Sequence, residues 1–458
     1  MMPRINLRRL RPFLFGHLLL WVVAAHGQVE FVPSSCVPAD SLLLIRNLDS
    51  RYQLALAEAP VASREIYAEA LMDRHEGLLD LLRGEQFLFE PGVQVYVEAI
   101  FQEIIRANQL EPDPLILIGR SPTANALSLG NGIFIINVGL LELLSDRQEL
   151  AFVFAHELAH DQLRHLYAKL DARAALSDQL GQREFRRQMK KAIRKGRTEE
   201  VAGQLQEIVY GQRRHSRAHE VEADSLGLLF LRSTGAPAAA AGQTLAKLKT
   251  DPFYATDSID LHRALHVADY PFKARWVKEE DLLFGGEFGE QESESFWDHD
   301  SLRTHPALDD RILRVDSLLD TGPSDGDGQP QPWVEWAARE CAESYLAEGA
   351  TAHALYTALK LLQRRPDDTY LHALIGRSLL ATCQAIEDHD FDRCVPPPRY
   401  FDDPVARQVV RMLRQMRSSE MLHLCRAYLA DKQSRYPGSR AIQTAFAKAQ
   451  EGIIPAKD

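Results

Sequence analysis

A mainly helical chain with one small β-sheet is what this sequence predicts, arranged as a larger first domain and an all-helical second one. Three observations carry that reading. Stretches from Ser63 onward repeat apolar residues at helical spacing. Three short apolar or alternating runs, separated by turns, fall between residues 114 and 137. A stretch rich in Gly and Pro at 320–332 reads as a linker before residues 333–458, which look helical throughout.

Composition bounds the class. The 458 residues are 45% hydrophobic and 26% charged, the profile of a globular protein of two or three domains. A net charge of −11 argues against a nucleic-acid binder. Residues 1–27 read as a secretory signal peptide. Arg4, Arg8, Arg9 and Arg11 form its basic start, Pro12 to Ala25 its apolar centre, and Ala25-His26-Gly27 offers small residues for cleavage. The alternative is a retained anchor, for which the apolar run is short. Without those four arginines the net charge becomes −15. The expectation is a secreted or periplasmic protein, soluble after processing, since no later run reaches 18 apolar residues. In such a compartment some of Cys36, Cys341, Cys383, Cys394 and Cys425 are expected to pair. Cys383 with Cys394 and Cys341 with Cys425 are candidates. The lack of Cys-x-x-Cys argues against a sulfur-ligated zinc site.

The elements follow in order. Residues 28–60 carry mixed signals and read as an irregular N-terminal segment before the first domain, 61–319. A helix runs from Ser63 to about Leu82, with Ile66, Ala70, Leu71, Leu78, Leu81 and Leu82 at helical spacing and Gly84 as its stop. A second runs from Gly92 to Ala107. Pro114–Gly119, Ala124–Leu129 and Ile133–Asn137 read as strands, with Gly130-Asn131-Gly132 as a turn. After a short helix, Val138–Leu144, Ser145 is the expected N-cap of the next, with Gln148 at capping-box spacing.

That next helix carries the chemistry. Glu149 to Asp161 contains His156-Glu157-x-x-His160. Residues four apart share one helix face, so the two imidazoles can grip one zinc ion, with Glu157 at the edge of that face as a general base. A chance pattern on an amphipathic helix is the alternative, and a second stretch weighs against it. In Glu220-Val-Glu222-Ala-Asp224 the first and last acids share a face, whereas Glu222 points away. A crossing of the two helices would make Glu220 the third ligand, with Asp224 hydrogen-bonded to a ligand histidine.

Other stretches are open to two readings. The basic run between Arg183 and Arg197 is either a contact surface for anionic lipid or an acidic partner, or a solvated helical hairpin. Pro237–Lys249 and Ile259–Ala268 read as helices. His262 and His266, four apart on the latter, lack an obvious carboxylate partner and fit surface or packing roles. Residues 283–300 read as a mobile loop bordering a cleft. Thr304-His305-Pro306 is followed by Asp309-Asp310-Arg311 and a helix to Leu319. In the second domain Tyr345, Gly349, Ala354 and Pro366 fall at the relative spacings of a tetratricopeptide repeat; a non-repeating bundle is the alternative.

The run from Asn125 to Leu141, His156-Glu-x-x-His160, Glu220-x-x-Ala-Asp224 and Thr304-His-Pro306 with Arg311 together resemble the metallopeptidase family of the CAAX-prenyl endopeptidases, the HtpX membrane proteases and the soluble periplasmic BepA-type proteases. The resemblance covers about residues 60–320. It implies a gluzincin-type domain with one zinc ion per chain, held by His156, His160 and Glu220, with Glu157 as catalytic base. It also implies His305 and Arg311 near the active site, His305 as stabiliser of the intermediate or as a gate. An edge strand near Asn131, Gly132, Ile133, Phe134 and Ile135 would pair with an extended polypeptide substrate. The signal peptide and repeat-like tail are similar to the periplasmic branch, which handles misassembled envelope proteins and their assembly machinery. The functional expectation is an exported zinc endopeptidase acting on such proteins, its C-terminal helices contacting partners. The rival expectation is a chaperone or assembly scaffold with a latent protease site.

Overall fold

The structure, a computed structural model, describes residues 30–110, 113–181, 217–249, 259–278, 308–317 and 331–452. The expected signal peptide, the basic run at 183–197, the loop at 283–300, His305 and most of the linker lie outside these residues.

The chain begins with an extended stretch and then helix α1 (Ser41–Ala57), where sequence reading expected irregular structure. Asp40 caps it, accepting from the Leu43 N–H at 2.8 Å. Only Leu48, Tyr52 and Ala55 are buried on α1, while Leu42, Leu43 and Leu54 are exposed. Apolar residues on the wet side blur the helical period, which is why it was missed. Helix α2 (Arg64–Arg83) stops at Gly84 as expected. Strand β1 (Phe87–Leu88) leads to α3 (Pro91–Ala107), whose Val93, Val97, Ile100, Phe101 and Ile104 form one buried stripe.

Strands β2 (Leu115–Gly119), β3 (Ala126–Ser128) and β4 (Ile133–Asn137) complete a four-stranded sheet of order β1-β2-β4-β3. Strands β2 and β4 run parallel, Leu115 opposite Ile133, and β3 is antiparallel to β4, Ser128 opposite Phe134. The two apolar runs are continuous because both faces are covered. Ile116, Ile118, Phe134 and Ile136 join the main core with Phe101 and Phe154. Leu117, Ile133 and Ile135 pack on the other face with Leu48, Leu78 and Phe87. The turn from β3 to β4 places Gly130, Asn131 and Gly132 all at positive φ, the conformation that this glycine-flanked tripeptide permits. The topology corrects one expectation. Strand β4, which holds Ile133, Phe134 and Ile135, is paired on both sides, so among the described residues the edges of the sheet are β1 and β3, and β3 is the one beside the motif helix.

Helix α4 (Val138–Leu143) precedes α5 (Arg147–Gln162), which is capped by Asp146 rather than Ser145: its carboxylate accepts from the Gln148 N–H at 2.6 Å. Eleven residues of α5, Glu149 to Ala159, are buried, so the motif helix runs through the core. It is followed by α6 (His165–Gly181), α7 (217–233), α8 (Ala239–Lys249) and the five-residue α9 (Leu261–Leu265), then α10 (Leu308–Ser317).

Seven helices follow: α11 (Pro332–Ala347), α12 (Thr351–Arg364), α13 (Thr369–Glu387), α14 (Phe391–Cys394), α15 (Pro404–Gln415), α16 (Ser418–Arg435) and α17 (Arg440–Glu451). They build a second core. Ile259, Leu261, Phe272 and Trp276, which sequence reading placed with the first domain, pack into it. Conversely Trp333, Ala337 and Cys341 of α11 belong to the core of the motif helix. All five cysteines are free thiols, against the expectation that some pair. Cys341 and Cys425 are buried in different cores, and Cys425 donates its thiol to the Gly376 carbonyl.

Candidate metal centre

Helices α5 and α7 cross where α7 has no side chain. A Cβ on Gly227 would stand 3.0 Å from both the Cα and the N of His156, so only glycine lets the two backbones approach this closely. One turn before that contact lies Asp224, and one turn further back Glu220. The crossing therefore sets both acids beside the histidines of α5.

His156 Nε2 and His160 Nε2 are 3.0 Å apart. Glu220 closes the group, with one carboxylate oxygen 3.6 Å from His156 Nε2 and the other 3.5 Å from His160 Nε2. This triangle has the size of one face of a ligand tetrahedron: donors at about 2.0–2.1 Å from a central zinc ion stand about 3.3 Å from one another. Two imidazole nitrogens and a carboxylate are also a donor set that zinc favours. Among the described residues this is the one cluster of His, Cys, Asp and Glu able to hold a metal ion. The residues fit the metal that the motif implies.

Electrostatics point the same way. His156 Nδ1 lies 3.0 Å from Asp224 Oδ1, and both side chains are almost wholly buried. Burial acts to lower the His156 pKa, but the Asp224 and Glu220 carboxylates outweigh it and raise it to about 9, so the site stabilises positive charge. Asp224 is held down to about 2: burial would raise it, and the contacts with His156 and Arg311 overcome that.

Arg311, on α10, was expected beside the reacting groups. The structure places it there, in the lining of the cavity beside His156 and Glu157. Its Nε and Nη2 donate to the two Asp224 oxygens at 2.8 and 2.7 Å, and its Nη1 stands 3.4 Å from Glu220. A guanidinium engaged this way braces the ligand carboxylate and its neighbour.

Glu157 is 3% exposed, and its Oε2 accepts the N–H of Ser128 on β3 at 2.7 Å. Leu129 N–H bonds the Ile133 carbonyl and Asn137 N–H the Asn125 carbonyl, so the odd residues of this stretch face β4. The backbone groups of Ala126 and Ser128 consequently face the open edge, beside Glu157. An apolar cavity of about 50 Å³ adjoins His156 and Glu157, walled by Leu140, Phe152, Val153, Leu245, Leu248 and Leu308.

One residue that sequence reading passed over, His165, lies against a ligand, and Glu222, which it set aside, reaches that residue. His165 Nδ1 is 2.8 Å from His160 Nδ1, and its Nε2 is 3.2 Å from Glu222. Glu222 stands off the face of Glu220 and Asp224, as helical spacing requires, yet it reaches His165. The signal available in sequence was a third histidine five residues beyond His160, a spacing that a single helix would turn away from the site. His262 and His266, whose rings are 5.2 Å apart, gather no third ligand among the described residues.

The model of peptidase family M48 matches residues 91–319, half of the chain. The chain is 28% identical over 162 residues to the Metalloendopeptidase OMA1, mitochondrial, of Bos taurus, covering 34% of this chain and 31% of that protein. It is 26% identical over 198 residues to a Putative beta-barrel assembly-enhancing protease of Vibrio cholerae serotype O1, covering 42% of this chain and 39% of that protein. The matched stretches thus span well under half the length of these curated relatives.

Proposed function

The chain belongs to peptidase family M48, and from that premise we propose that it is a zinc-dependent endopeptidase that hydrolyses peptide bonds in extended polypeptide, with Glu157 as general base. The observation that carries this is the closed His156-His160-Glu220 group with Glu157 beside it on the same helix. A zinc ion held there would supply Lewis acidity toward a peptide carbonyl and a water molecule.

The chain's own residues do the rest. Ser128 N–H fixes the Glu157 carboxylate at the end of β3, where it takes a proton from the attacking water and returns it to the leaving amine. The open edge of β3 pairs with the substrate backbone, which makes recognition largely independent of sequence. The cavity beside Glu157 takes an apolar side chain next to the scissile bond. Asp224 and Arg311 hold His156 and Glu220 in place.

The substrates in this reading are misfolded or misassembled envelope proteins, met outside the cytoplasm after removal of residues 1–27. Support comes from the signal-like N-terminus, from the helical second half as a partner-binding surface, and from the name of the Vibrio cholerae relative. No helix among the described residues is long and apolar enough to cross a membrane. The test is metal analysis together with digestion of an unfolded protein by the parent and by Glu157→Gln. The variant is expected to keep its zinc and to lose about 100-fold to 10,000-fold in cleavage rate. A variant as fast as the parent ends the assignment of Glu157.

A further inference from the structure

We propose that His165 is a positioning residue of the metal centre: it holds the His160 ring with Nε2 toward the other two ligands, and Glu222 fixes which nitrogen of His165 carries the proton. This rests on His156, His160 and Glu220 being the metal ligands.

The argument is one of proton placement. A neutral imidazole has one N–H and one lone pair. With Nε2 of His160 turned to the ligand group, its proton sits on Nδ1. That atom is 2.8 Å from His165 Nδ1, so it must meet a lone pair there. His165 then carries its own proton on Nε2, which is 3.2 Å from Glu222 Oε2, an acceptor. A single arrangement satisfies all three groups: His160 donates to His165, and His165 donates to Glu222. The two ligand histidines are therefore supported unequally. His156 leans directly on the buried Asp224, and His160 leans on an intervening ring.

The fold is bent to make this contact. Helix α5 ends and α6 begins at Arg164, which has φ +54°, a conformation a residue with a side chain seldom adopts. That reversal returns His165, the first residue of α6, onto the end of α5. The His165 side chain is 4% exposed, and the His219 ring stacks on it at 4.2 Å between centroids and 14° between planes. His219 sits one residue before the ligand Glu220, so α7 delivers a ligand and the plate that fixes the plane of His165 together. Strained backbone retained beside a functional group is where such a device is expected.

Zinc affinity of the full chain, read by competition with a chromophoric chelator, tests this without reference to activity. His165→Phe keeps the bulk and the stack on His219 but has no acceptor, and is expected to bind zinc about 10-fold to 100-fold more weakly. His165→Asn places an oxygen near the position of Nδ1 and is expected to restore affinity to within about threefold of the parent. Thermal melting of the metal-free proteins checks that each has folded. A phenylalanine variant that holds zinc as tightly as the parent overturns the proposal. So does an asparagine variant as weak as the phenylalanine one, since packing alone would then explain the loss. Should the phenylalanine variant fail to fold, Glu222→Ala takes its place, since the Glu222 side chain is 58% exposed. It is expected to weaken zinc by about threefold to tenfold, and parent-like affinity overturns the relay. A parent chain that binds no zinc in the same titration sinks the metal centre itself.

Discussion

Asp224 touches no substrate in this arrangement, yet it joins the ligand His156 to the guanidinium of Arg311. Its side chain is 3% exposed, so among the described residues its charge is sustained by those two partners. Replacing it with alanine removes the acceptor for His156 Nδ1 and leaves Arg311 buried against Glu220 alone. Asp224→Ala is expected to bind zinc about 10-fold to 100-fold more weakly and to lose about 3 kcal/mol of stability. Chelator competition and urea unfolding measure the two, and an unchanged zinc affinity would show that His156 needs no support. Of the residues gathered here, His156, Glu157 and His160 were legible from spacing on one helix. Glu220 and Asp224 were legible as a pair four apart, and a helix crossing was enough to join the two sets. His165 and Glu222 were not, because their meeting depends on a chain reversal at Arg164 that no periodicity announces.

The crossing of α5 and α7 is the step that turns two motifs into one site, and Gly227 is its condition. Backbone on one side and backbone on the other leave no flexible side chain to yield at the 3.0 Å contact. Gly227→Val is therefore expected to push the helices apart by a few tenths of an ångström or more, with overpacking costing about 1–3 kcal/mol. Zinc affinity should fall while far-UV dichroism stays that of the parent; a variant with parent-like affinity would show that the contact is not what sets Glu220. Helix and strand existence could be read where the period was clean, as in α2, α3, β2 and β4. It failed at α1, whose apolar residues face both ways, and at Ile259–Ala268, of which only Leu261–Leu265 is helical. The expectation that β4 is an edge strand failed for a different reason. The sequence of β4 shows that it is buried but not how many neighbours cover it, and pairing on both sides is settled only by the order of the sheet.

Across the whole molecule, two cores exchange segments. Residues 259–278 sit in the second core, α11 begins in the first, and the N-terminal stretch ties both. Glu30 accepts from the Thr369 hydroxyl at 2.9 Å and from the Arg440 N–H at 3.1 Å, and Ser35 O accepts the Phe89 N–H at 2.8 Å. Composition marked a linker at 320–332 but could not reveal this exchange, because each segment is apolar enough for either core. The second core also carries a pH dependence of its own. His372 is 6% exposed, its Nε2 2.8 Å from the Pro366 carbonyl and its Nδ1 2.7 Å from the Tyr428 hydroxyl. A neutral ring serves both, donating to the carbonyl and accepting from the phenol. Burial, against the pull of that carbonyl, lowers its pKa from 6.5 to about 4. Between those values the unfolded chain binds the extra proton and the folded one does not. The stabilisation is therefore full above about pH 6.5 and is lost as the pH falls toward about 4, by up to about 3 kcal/mol. His372→Leu removes the titrating group together with two hydrogen bonds. It is expected to be less stable than the parent at pH 7 and to close most of that gap by about pH 4.5. Urea unfolding at the two pH values, followed by tryptophan fluorescence with Trp276 buried in the same core, reads the difference. A gap of equal size at both would place the acid sensitivity of this core elsewhere.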